Sequence, residues 1–534
     1  MTNPSTAEAR ALVDGMLRSG IDEVVLAPGS RNGPLSIALA QAAAAGRLRL
    51  HVRLDERSAS FLALGLAKRL AAPVAVLCTS GTAAAHFHAA AYEATEAGVP
   101  LLLLTADRPP TLRGMGANQT IDQRAMFGAA VLTSIDAAVA DGQPEAHWRG
   151  LIADAVAMAR GNATTAPGAV HLNLPFAEPL VPDDGDDAWT ATLPAGIAPR
   201  PATEVPRGSW ARIWPAGGAT PRGVIITSDP AQADDVTAFA QALGWPVLAE
   251  PGSGARHGAH AITHYPALLA DPALHAEVVV TVGRFALSRG VAAYVRAADR
   301  HVAVGRALAD PLGTAQATLP RLPDASRLTV ADPEWLERWQ QADAVADVPS
   351  DRPHASIAAV LEHLRDGDLV WYGPSSVIRY AELVAPARED AVVARMNRGT
   401  NGIDGVVSSA IGAALAHART APESLAVALM GDLTFLHDVN GLLIEAGSDV
   451  PRLAIVVLDS NGGRIFATLE QGADQFRPVF DRVYGTPHNR DLAAIATAYG
   501  VHSVHVREHH ALVQALESAR AHAGISVIVI DDRE

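Results

Sequence analysis

The sequence contains a single cysteine, Cys78, and a single lysine, Lys68. One cysteine excludes an intramolecular disulfide and argues against a zinc site built from cysteines. Aromatic residues make up only 5% of the chain and charged residues 19%, but hydrophobic residues reach 49%, which excludes a wholly disordered chain. Because every other permanent cation is an arginine, the number of arginines is by itself poor evidence for a binding site.

Long apolar runs are also missing. No uninterrupted run approaches the roughly 18 residues that a membrane span needs, and the first residues lack the basic-then-apolar order of a secretory signal. We therefore expect a cytoplasmic protein with no membrane span. The net charge of −15 argues against general nucleic-acid binding, which needs a basic face. A local group of arginines can still bind small anionic substrates.

The 534 residues predict three or four domains at about 150 residues each. Short apolar runs alternate with alanine-rich helical stretches, which is typical of parallel α/β structure. Polar, proline-containing breaks at 182–207 and 343–353 divide this pattern. The sequence therefore predicts an α/β fold with three doubly wound, mainly parallel-sheet domains at 1–182, 208–345 and 353–534. Ligands of such sheets bind at the carboxyl ends of the strands.

Two loops of the third segment follow neighbouring predicted strands. Gly431, Asp432 and Leu433 come after the apolar run 426–430, and the polar turn 459–463 comes after the next run. A carboxylate beside a second oxygen-rich loop can hold magnesium, which often bridges to a phosphate. Glycines let the backbone approach a diphosphate closely, and we expect a helix at about 440–445 behind them. Either turn alone is common, but the pair is much more specific.

The first segment has polar loops at the corresponding positions. Glu56 stands between a predicted strand and a helix, where a first-turn carboxylate is also a common stabilising feature. Further loops follow predicted strands at 28–32, 79–82 and 105–119. Each of them could be a plain connection, although loops on a rigid scaffold are where binding residues concentrate.

Several stretches together carry a family resemblance. They are 28–34 (PGSRNGP), 55–57 (DER), 105–123 (TADRPPTLRGMGANQTIDQ), 397–405 (NRGTNGIDG), 431–435 (GDLTF) and 461–466 (NGGRIF). With them the chain resembles the thiamine-diphosphate-dependent enzymes and, within that superfamily, the synthase family of menaquinone biosynthesis. The resemblance spans the first and third segments and is weak in the middle one. It implies pyrimidine-binding, central and diphosphate-binding domains, in that order.

The resemblance implies a decarboxylating transferase. 2-Oxoglutarate would lose CO₂, and the succinyl unit would be added to isochorismate, giving 2-succinyl-5-enolpyruvyl-6-hydroxy-3-cyclohexene-1-carboxylate. Two alternatives stay open. One is another thiamine-dependent 2-oxoacid decarboxylase or an acetolactate-synthase-like carboligase. The other is a non-catalytic α/β protein that binds an anion or a nucleotide.

The same resemblance implies the cofactors, thiamine diphosphate with Mg²⁺ or Mn²⁺, and the residues that bind them. The implied cofactor-binding residues are Pro28, Glu56, Gly402, Ile403, Gly431, Asp432, Leu433, Asn461, Gly462 and Gly463. The implied metal ligands are Asp432, Ser460 and Gly462. Leu433 replaces the third glycine of the superfamily signature, and Asp459–Ser460 replaces its paired asparagines. This leaves open whether Ser460, Asp459 or a bridging water completes the metal site.

Arginine suits dicarboxylate substrates because its planar fork can bind a carboxylate with two hydrogen bonds. The implied catalytic residues are Glu56, which would activate the cofactor, with Arg31, Arg108, Gln119 and Arg398. The implied substrate-binding residues are Ser30, Asn118, Arg289, Arg379, Ile465 and Phe466. In this family the cofactor lies between two chains, which implies a homodimer and possibly a dimer of dimers.

Overall fold

In the described part of the chain, seventeen strands form three separate sheets, and every strand pairing in them is parallel. The computed structural model describes residues 3–183, 188–195, 204–215, 220–228, 232–285, 288–305, 310–325, 328 and 332–533. The predicted linker at 182–207 and the two ends of the chain therefore lie partly outside the described residues. Each sheet falls within one of the three predicted segments, whose boundaries stay predictions.

The first sheet has six strands in the order β2-β1-β3-β4-β6-β5. The strands are β1 (Glu23–Leu26), β2 (Arg49–Val52), β3 (Val74–Cys78), β4 (Leu101–Asp107), β5 (Thr133–Asp136) and β6 (Ala169–Pro175). The helices of this segment are α1 (Pro4–Arg18), α2 (Gly33–Ala44), α3 (Glu56–Leu70), α4 (Thr82–Ala85), α5 (His88–Glu96) and α6 (Glu145–Arg160). All residues of β1, β3, β4 and β6 are buried, as expected for strands covered on both faces by helices.

The second sheet has five strands in the order β11-β10-β9-β7-β8. The strands are β7 (Gly223–Thr227), β8 (Val247–Ala249), β9 (Val278–Val282), β10 (Arg300–Val304) and β11 (Ala317–Leu319). Helix α7 (Ala188–Ala191) comes before this sheet in the chain, but its Trp189 packs against the core of the first sheet. The helices around the second sheet are α8 (Trp210–Ile213), α9 (Ala233–Leu243), α10 (Tyr265–Leu268), α11 (Arg289–Ala297) and α12 (Glu334–Ala344). Trp245, Trp335 and Trp339 are fully buried in this core. Three of the eight tryptophans of the chain therefore stabilise the central domain.

The third sheet has six strands in the order β13-β12-β14-β15-β17-β16. The strands are β12 (Leu369–Tyr372), β13 (Val393–Met396), β14 (Ala426–Gly431), β15 (Leu453–Asp459), β16 (His502–Val506) and β17 (Ile525–Asp531). The helices are α13 (Arg352–Glu362), α14 (Ser376–Val384), α15 (Val406–Ala418), α16 (Asp432–His437), α17 (Arg477–Phe480), α18 (Leu492–Ala498) and α19 (His509–Ala521). If the strands of each six-stranded sheet are numbered from one along the chain, both sheets have the same order, 2-1-3-4-6-5.

The three predicted parallel α/β layers are thus confirmed, but one local expectation is wrong. The helix expected at 440–445 is a single 3₁₀ turn at Val439–Leu442, because the α-helical segment begins earlier, at Asp432, directly after β14. The alanine-rich stretch before β4 forms two helices, α4 and α5, with His86 and Phe87 between them. Within the described residues, no helix is long and apolar enough to cross a membrane.

Helices α3 and α15 join the first and third sheets. A Cβ atom at Gly65 of α3 would lie 2.0 Å from the carbonyl oxygen of Ser409, and one at Gly412 of α15 would lie 2.2 Å from that of Leu62. The two backbones therefore approach as closely as the missing side chains allow. One continuous apolar cluster contains residues of both sheets and both helices, so the first and third domains share a core.

We expect Gly65→Ala to destabilise the protein by about 1–3 kcal/mol, because the new methyl group meets a backbone carbonyl that cannot move independently. Urea unfolding of purified protein measures the change. Gly150→Ala is the matched control, because this helical glycine of α6 has open space around its Cβ position. Removing a helical glycine there is expected to stabilise by about 0.5–1 kcal/mol. Equal effects of the two substitutions would contradict the close helix crossing.

Candidate active site

A cleft of about 660 Å³, open to solvent, lies at the carboxyl edge of the third sheet. Its position is the switch point between β12 and β14, where neighbouring connections leave the sheet in opposite directions and ligands bind in such folds. All of its lining residues lie in the third domain. They are Pro374, Ser375, Ser376, Val377, Tyr380, Ile403, Gly431, Asp432, Leu433, Thr434, Leu458, Ser460, Gly462, Gly463, Arg464, Ile465, Phe466 and Asp532.

Asp432 is a buried acid that lines this cleft, and it is the first residue of α16. Its Oδ1 accepts a hydrogen bond from the backbone nitrogen of Leu433 at 2.7 Å, and its Oδ2 accepts one from that of Gly462, also at 2.7 Å. Burial raises the pKa of Asp432, although both backbone donors oppose the rise. A cation beside this carboxylate would favour its charged form.

Ser460 and Gly462 bring two further oxygens to the same cleft. The Ser460 hydroxyl donates to the Gly462 carbonyl, with 3.1 Å between the oxygens. Octahedral magnesium with ligands at 2.0–2.1 Å places neighbouring oxygens about 3 Å apart. Together with Asp432 they form an all-oxygen set that fits a hard divalent cation. Gly462 has a φ of +137°, and a Cβ there would lie 2.1 Å from the carbonyl oxygen of Gly485, so only glycine fits.

Asp459 lies beside these ligands but is held away from the cleft. It is 1% exposed, and its Oδ2 accepts a hydrogen bond from Nη2 of Arg533 at 2.6 Å. Its Oδ1 lies 3.5 Å from Nε2 of His488, which is also 3.3 Å from Oδ2 of Asp432. Asp432, Asp459 and His488 are thus close enough to share one ion. Because Asp459 is already paired and does not line the cleft, the geometry favours Ser460.

Half of the other implied cofactor-binding residues also line this cleft. Ile403, Gly431, Leu433 and Gly463 line it, and so do the implied substrate residues Ile465 and Phe466. Gly402 precedes Ile403 but does not line the cleft. Asn461 does not line it either, because its side-chain oxygen and nitrogen are both bonded to Asn489.

Arg379 and Arg398 form a cationic pair in the same domain. Partial burial and the nearby charge of Arg398 lower the pKa of Arg379. Nη1 of Arg379 donates to the Ser375 carbonyl oxygen, and Ser375 lines the cleft. The Nε and Nη2 atoms of Arg398 are buried, and within the described residues they have no hydrogen-bond acceptor. Two guanidiniums whose charges act on each other, one of them with buried donors that have no acceptor, favour binding of an anionic ligand.

A second cationic group lies at the carboxyl edge of the first sheet. Arg108 donates to the Ser80 hydroxyl and to the Gln119 carbonyl oxygen. Burial, followed by the charge of Arg31, lowers the pKa of Arg108. Nη1 of Arg31 donates to the carbonyl oxygen of Phe176 at 2.9 Å. The structure therefore brings together Arg31, Arg108 and Gln119, as the sequence predicts.

Apart from Glu56, the remaining predicted substrate- and cofactor-binding residues are exposed to solvent. Pro28, Ser30 and Asn118 are exposed in loops beside this group. Arg289 is exposed on the first turn of α11, in the central domain. In the part of the chain that the structure describes, it has no hydrogen bond or ion pair with the first-sheet arginines.

Glu56 is the half-buried first helical residue of α3. The preceding Asp55 caps the helix, accepting from the backbone nitrogens of Arg57 and Ser58. The charge of Glu56 contributes, after burial, to a raised pKa of Cys78, so Glu56 lies near the end of β3. It does not line the third-domain cleft of its own chain. One chain thus carries two separate groups of predicted site residues.

Some residues of these groups have no role predicted from the sequence, although Ser80 and Gln123 lie within the motif stretches 79–82 and 105–123. Ser80 and Gln123 support the first-sheet cluster, since the Gln123 side chain accepts from the backbone nitrogen of Gly81 and donates to the carbonyl of Ala106. His488 comes from a polar loop without any recognisable motif. Only the neighbouring motif residues could have drawn attention to the first two.

Comparison with known proteins agrees with this geometry. The chain matches the family model described as thiamine pyrophosphate enzyme, N-terminal TPP binding domain, over residues 7–126. It matches the model described as thiamine pyrophosphate enzyme, C-terminal TPP binding domain, over residues 391–530. In fold it is similar to the crystal structure of benzoylformate decarboxylase from Polynucleobacter necessarius, with a TM-score of 0.70 over 99% of both chains. At 18% identity this likeness shows the fold alone.

Closer relatives carry one and the same name. The chain is 43% identical to the 2-succinyl-5-enolpyruvyl-6-hydroxy-3-cyclohexene-1-carboxylate synthase of Saccharopolyspora erythraea, covering 99% of this chain and 96% of that protein. It is also 43% identical to the synthase of that name from Thermobifida fusca, covering 93% and 91%. The predicted enzyme class and the thiamine diphosphate cofactor are confirmed. The chain belongs to the 2-succinyl-5-enolpyruvyl-6-hydroxy-3-cyclohexene-1-carboxylate synthase family of thiamine-diphosphate-dependent enzymes.

Proposed function

We propose that this chain decarboxylates 2-oxoglutarate and adds the succinyl unit to isochorismate, as a step of menaquinone biosynthesis in the cytoplasm. The observation that carries the proposal is the pair of arginine groups, one at each sheet edge, because in each group the charge of one arginine lowers the pKa of another. Both substrates are dicarboxylates, and arginine is the side chain best suited to bind such groups with two hydrogen bonds.

The third-domain cleft supports binding of the cofactor diphosphate through a divalent cation. Asp432, Ser460 and the Gly462 carbonyl would hold Mg²⁺ or Mn²⁺, while Gly431, Leu433 and Gly463 would line the diphosphate. Ile403, with Gly402 before it, would support the bend of the cofactor. Once bound, thiamine diphosphate supplies the stabilisation of negative charge on carbon that the decarboxylation requires.

The two substrates would be bound by different groups of side chains. Arg398 and Arg379 would bind the distal carboxylate of 2-oxoglutarate, and Ile465 and Phe466 would cover the reacting carbon. Isochorismate would be bound by residues of the first sheet edge and of α11. They are Ser30, Arg31, Arg108, Asn118, Gln119 and Arg289. Glu56 would hold a proton at a ring nitrogen of the cofactor.

We further propose that the active unit is a homodimer, with a dimer of dimers as the larger assembly. The support is geometric, because the cleft that fits the diphosphate is lined only by residues 374–532, and Glu56 is not among them. A second copy would bring its own first domain, 1–182, against the third domain, 353–534, of this chain. The central domain, 208–345, would contribute Arg289.

The function is tested by measuring CO₂ release from 2-oxoglutarate with thiamine diphosphate and Mg²⁺. We expect rapid release only when isochorismate is present, and a product whose mass contains the succinyl unit. Release without any adduct would identify a plain decarboxylase and refute the proposal. A protein that binds the cofactor but releases no CO₂ from 2-oxoglutarate would refute the proposed roles of the arginines and leave the fold and the cofactor unaffected. Pyruvate in place of 2-oxoglutarate is the control for substrate choice.

We expect Glu56→Gln to lower kcat by about 100-fold or more, because an amide cannot exchange the proton that a carboxyl group holds. Thiamine diphosphate affinity and thermal stability should hardly change, since the two side chains have the same shape. Steady-state kinetics, calorimetric titration and a melting curve measure the three quantities. Glu423→Gln, at a side chain that is 91% exposed, is the control. Normal turnover in the Glu56 variant would refute its role.

The identity of the metal ligand is tested by comparing Ser460→Ala with Asp459→Asn. We expect Ser460→Ala to weaken Mn²⁺ binding by about tenfold in an electron paramagnetic resonance titration. Asp459→Asn should instead lower the stability by about 1–3 kcal/mol, because Arg533 loses the charge of its partner. If Asp459→Asn weakened the metal more than Ser460→Ala did, Asp459 would be the ligand.

A further inference from the structure

The only lysine of the chain lies where the first and third domains meet. Lys68, near the end of α3, is 7% exposed, and its Nζ lies 2.8 Å from Oε1 of Glu93 on α5, which is 3% exposed. The same ammonium group donates to the carbonyl oxygen of Met396 and to the Asn397 side chain, both at 2.9 Å. All three of its donors are therefore used. Two of the three acceptors belong to the third domain.

Glu93 also contacts the third domain, a few residues after Asn397. Its Oε1 accepts from the backbone nitrogen of Gly399 at 2.9 Å. Its Oε2 accepts from the backbone nitrogen of Thr400 at 2.7 Å and from the Thr400 hydroxyl at 3.1 Å. A Cβ at Gly399 would lie 2.6 Å from the carbonyl oxygen of Glu93, so the loop lies directly on α5. The pair thus contacts residues on both sides of Arg398.

Each partner of this buried pair shifts the pKa of the other. Burial lowers the pKa of Lys68, and the charge of Glu93 opposes that change. Burial acts to raise the pKa of Glu93, but Lys68 and the two backbone donors outweigh it, so the pKa is lowered. Removing one partner of such a pair would leave an uncompensated buried charge. Moving residues 396–400 away from Lys68 and Glu93 would therefore be energetically unfavourable.

We propose that Lys68 and Glu93 are positioning residues for the reaction, forming a loop clamp that fixes residues 396–400 and so aims the guanidinium of Arg398 at the substrate carboxylate. The inference rests on the proposed role of Arg398. Among the described residues, the buried Nε and Nη2 of Arg398 have no protein acceptor. The position of these donors therefore depends on the backbone of the loop, which is held by the first domain.

Glu93→Gln tests the clamp, because the amide keeps one oxygen but turns a donor toward the backbone nitrogen of Thr400. We expect the KM for 2-oxoglutarate to rise about tenfold while the KM for isochorismate stays within about twofold. Arg69→Ala is the matched control. Arg69 also ties α3 to the third domain, through His417 and Thr420, but it does not contact the loop. It should lower thermal stability without changing either KM.

The double variant Glu93→Gln/Arg398→Ala separates positioning from general stability. We expect Arg398→Ala to raise the KM for 2-oxoglutarate, and Glu93→Gln to add nothing to it in that background. If the Glu93→Gln protein does not fold, Thr400→Val decides, because it removes only the hydroxyl contact with Glu93; it should raise the same KM by about twofold to threefold.

Three results would overturn the clamp. They are an unchanged KM for 2-oxoglutarate in both Glu93→Gln and Thr400→Val, an equal rise for both substrates, and a full additional effect of Glu93→Gln in the Arg398→Ala background. A normal KM for 2-oxoglutarate in Arg398→Ala alone would instead overturn the proposed role of Arg398, and the function of the clamp with it. The kinetics of the single Arg398 variant therefore show which of the two proposals fails.

Discussion

Helices α3 and α15 cross with their backbones almost in contact, and the two domains that hold the site residues take their relative position from this crossing. Gly65 and Gly412 make the approach possible, because neither carries a side chain that would separate the helices. Both helices also begin next to proposed site residues. Glu56 starts α3, and Ile403 lies just before α15. A shift of either helix would therefore move a catalytic group as well as the core.

The fold follows from simple regularities of the sequence. Fully buried parallel strands must be apolar on both faces, and the apolar runs at 74–78, 101–105 and 453–458 indeed lie within β3, β4 and β15. The loops at the carboxyl ends of the strands could also be predicted as ligand sites, since parallel topology places them on one edge. Asp432 is predicted as a ligand residue in this way, and the structure places it in the cleft.

Other features depend on contacts between residues far apart in the chain, and no local pattern shows them. The sequence around Lys68 is that of an ordinary exposed helix residue, yet two of its three acceptors, Met396 and Asn397, lie more than 300 positions away. His488 stands in a polar stretch that resembles any surface loop. The prediction of a helix at 440–445 is wrong for a different reason. A backbone that turns directly from β14 into α16 leaves only a single 3₁₀ turn for the residues that follow.

The burial of Lys68 also makes the chain unusual as a target for covalent chemistry. Amine-directed reagents such as active esters need an accessible, neutral amine, and the one ε-amino group of this sequence is enclosed, charged and bonded to three acceptors. Acylation at this position would require the first and third domains to separate from each other locally. A single side chain would thus act as an internal reporter of domain opening, without any label being introduced by mutation.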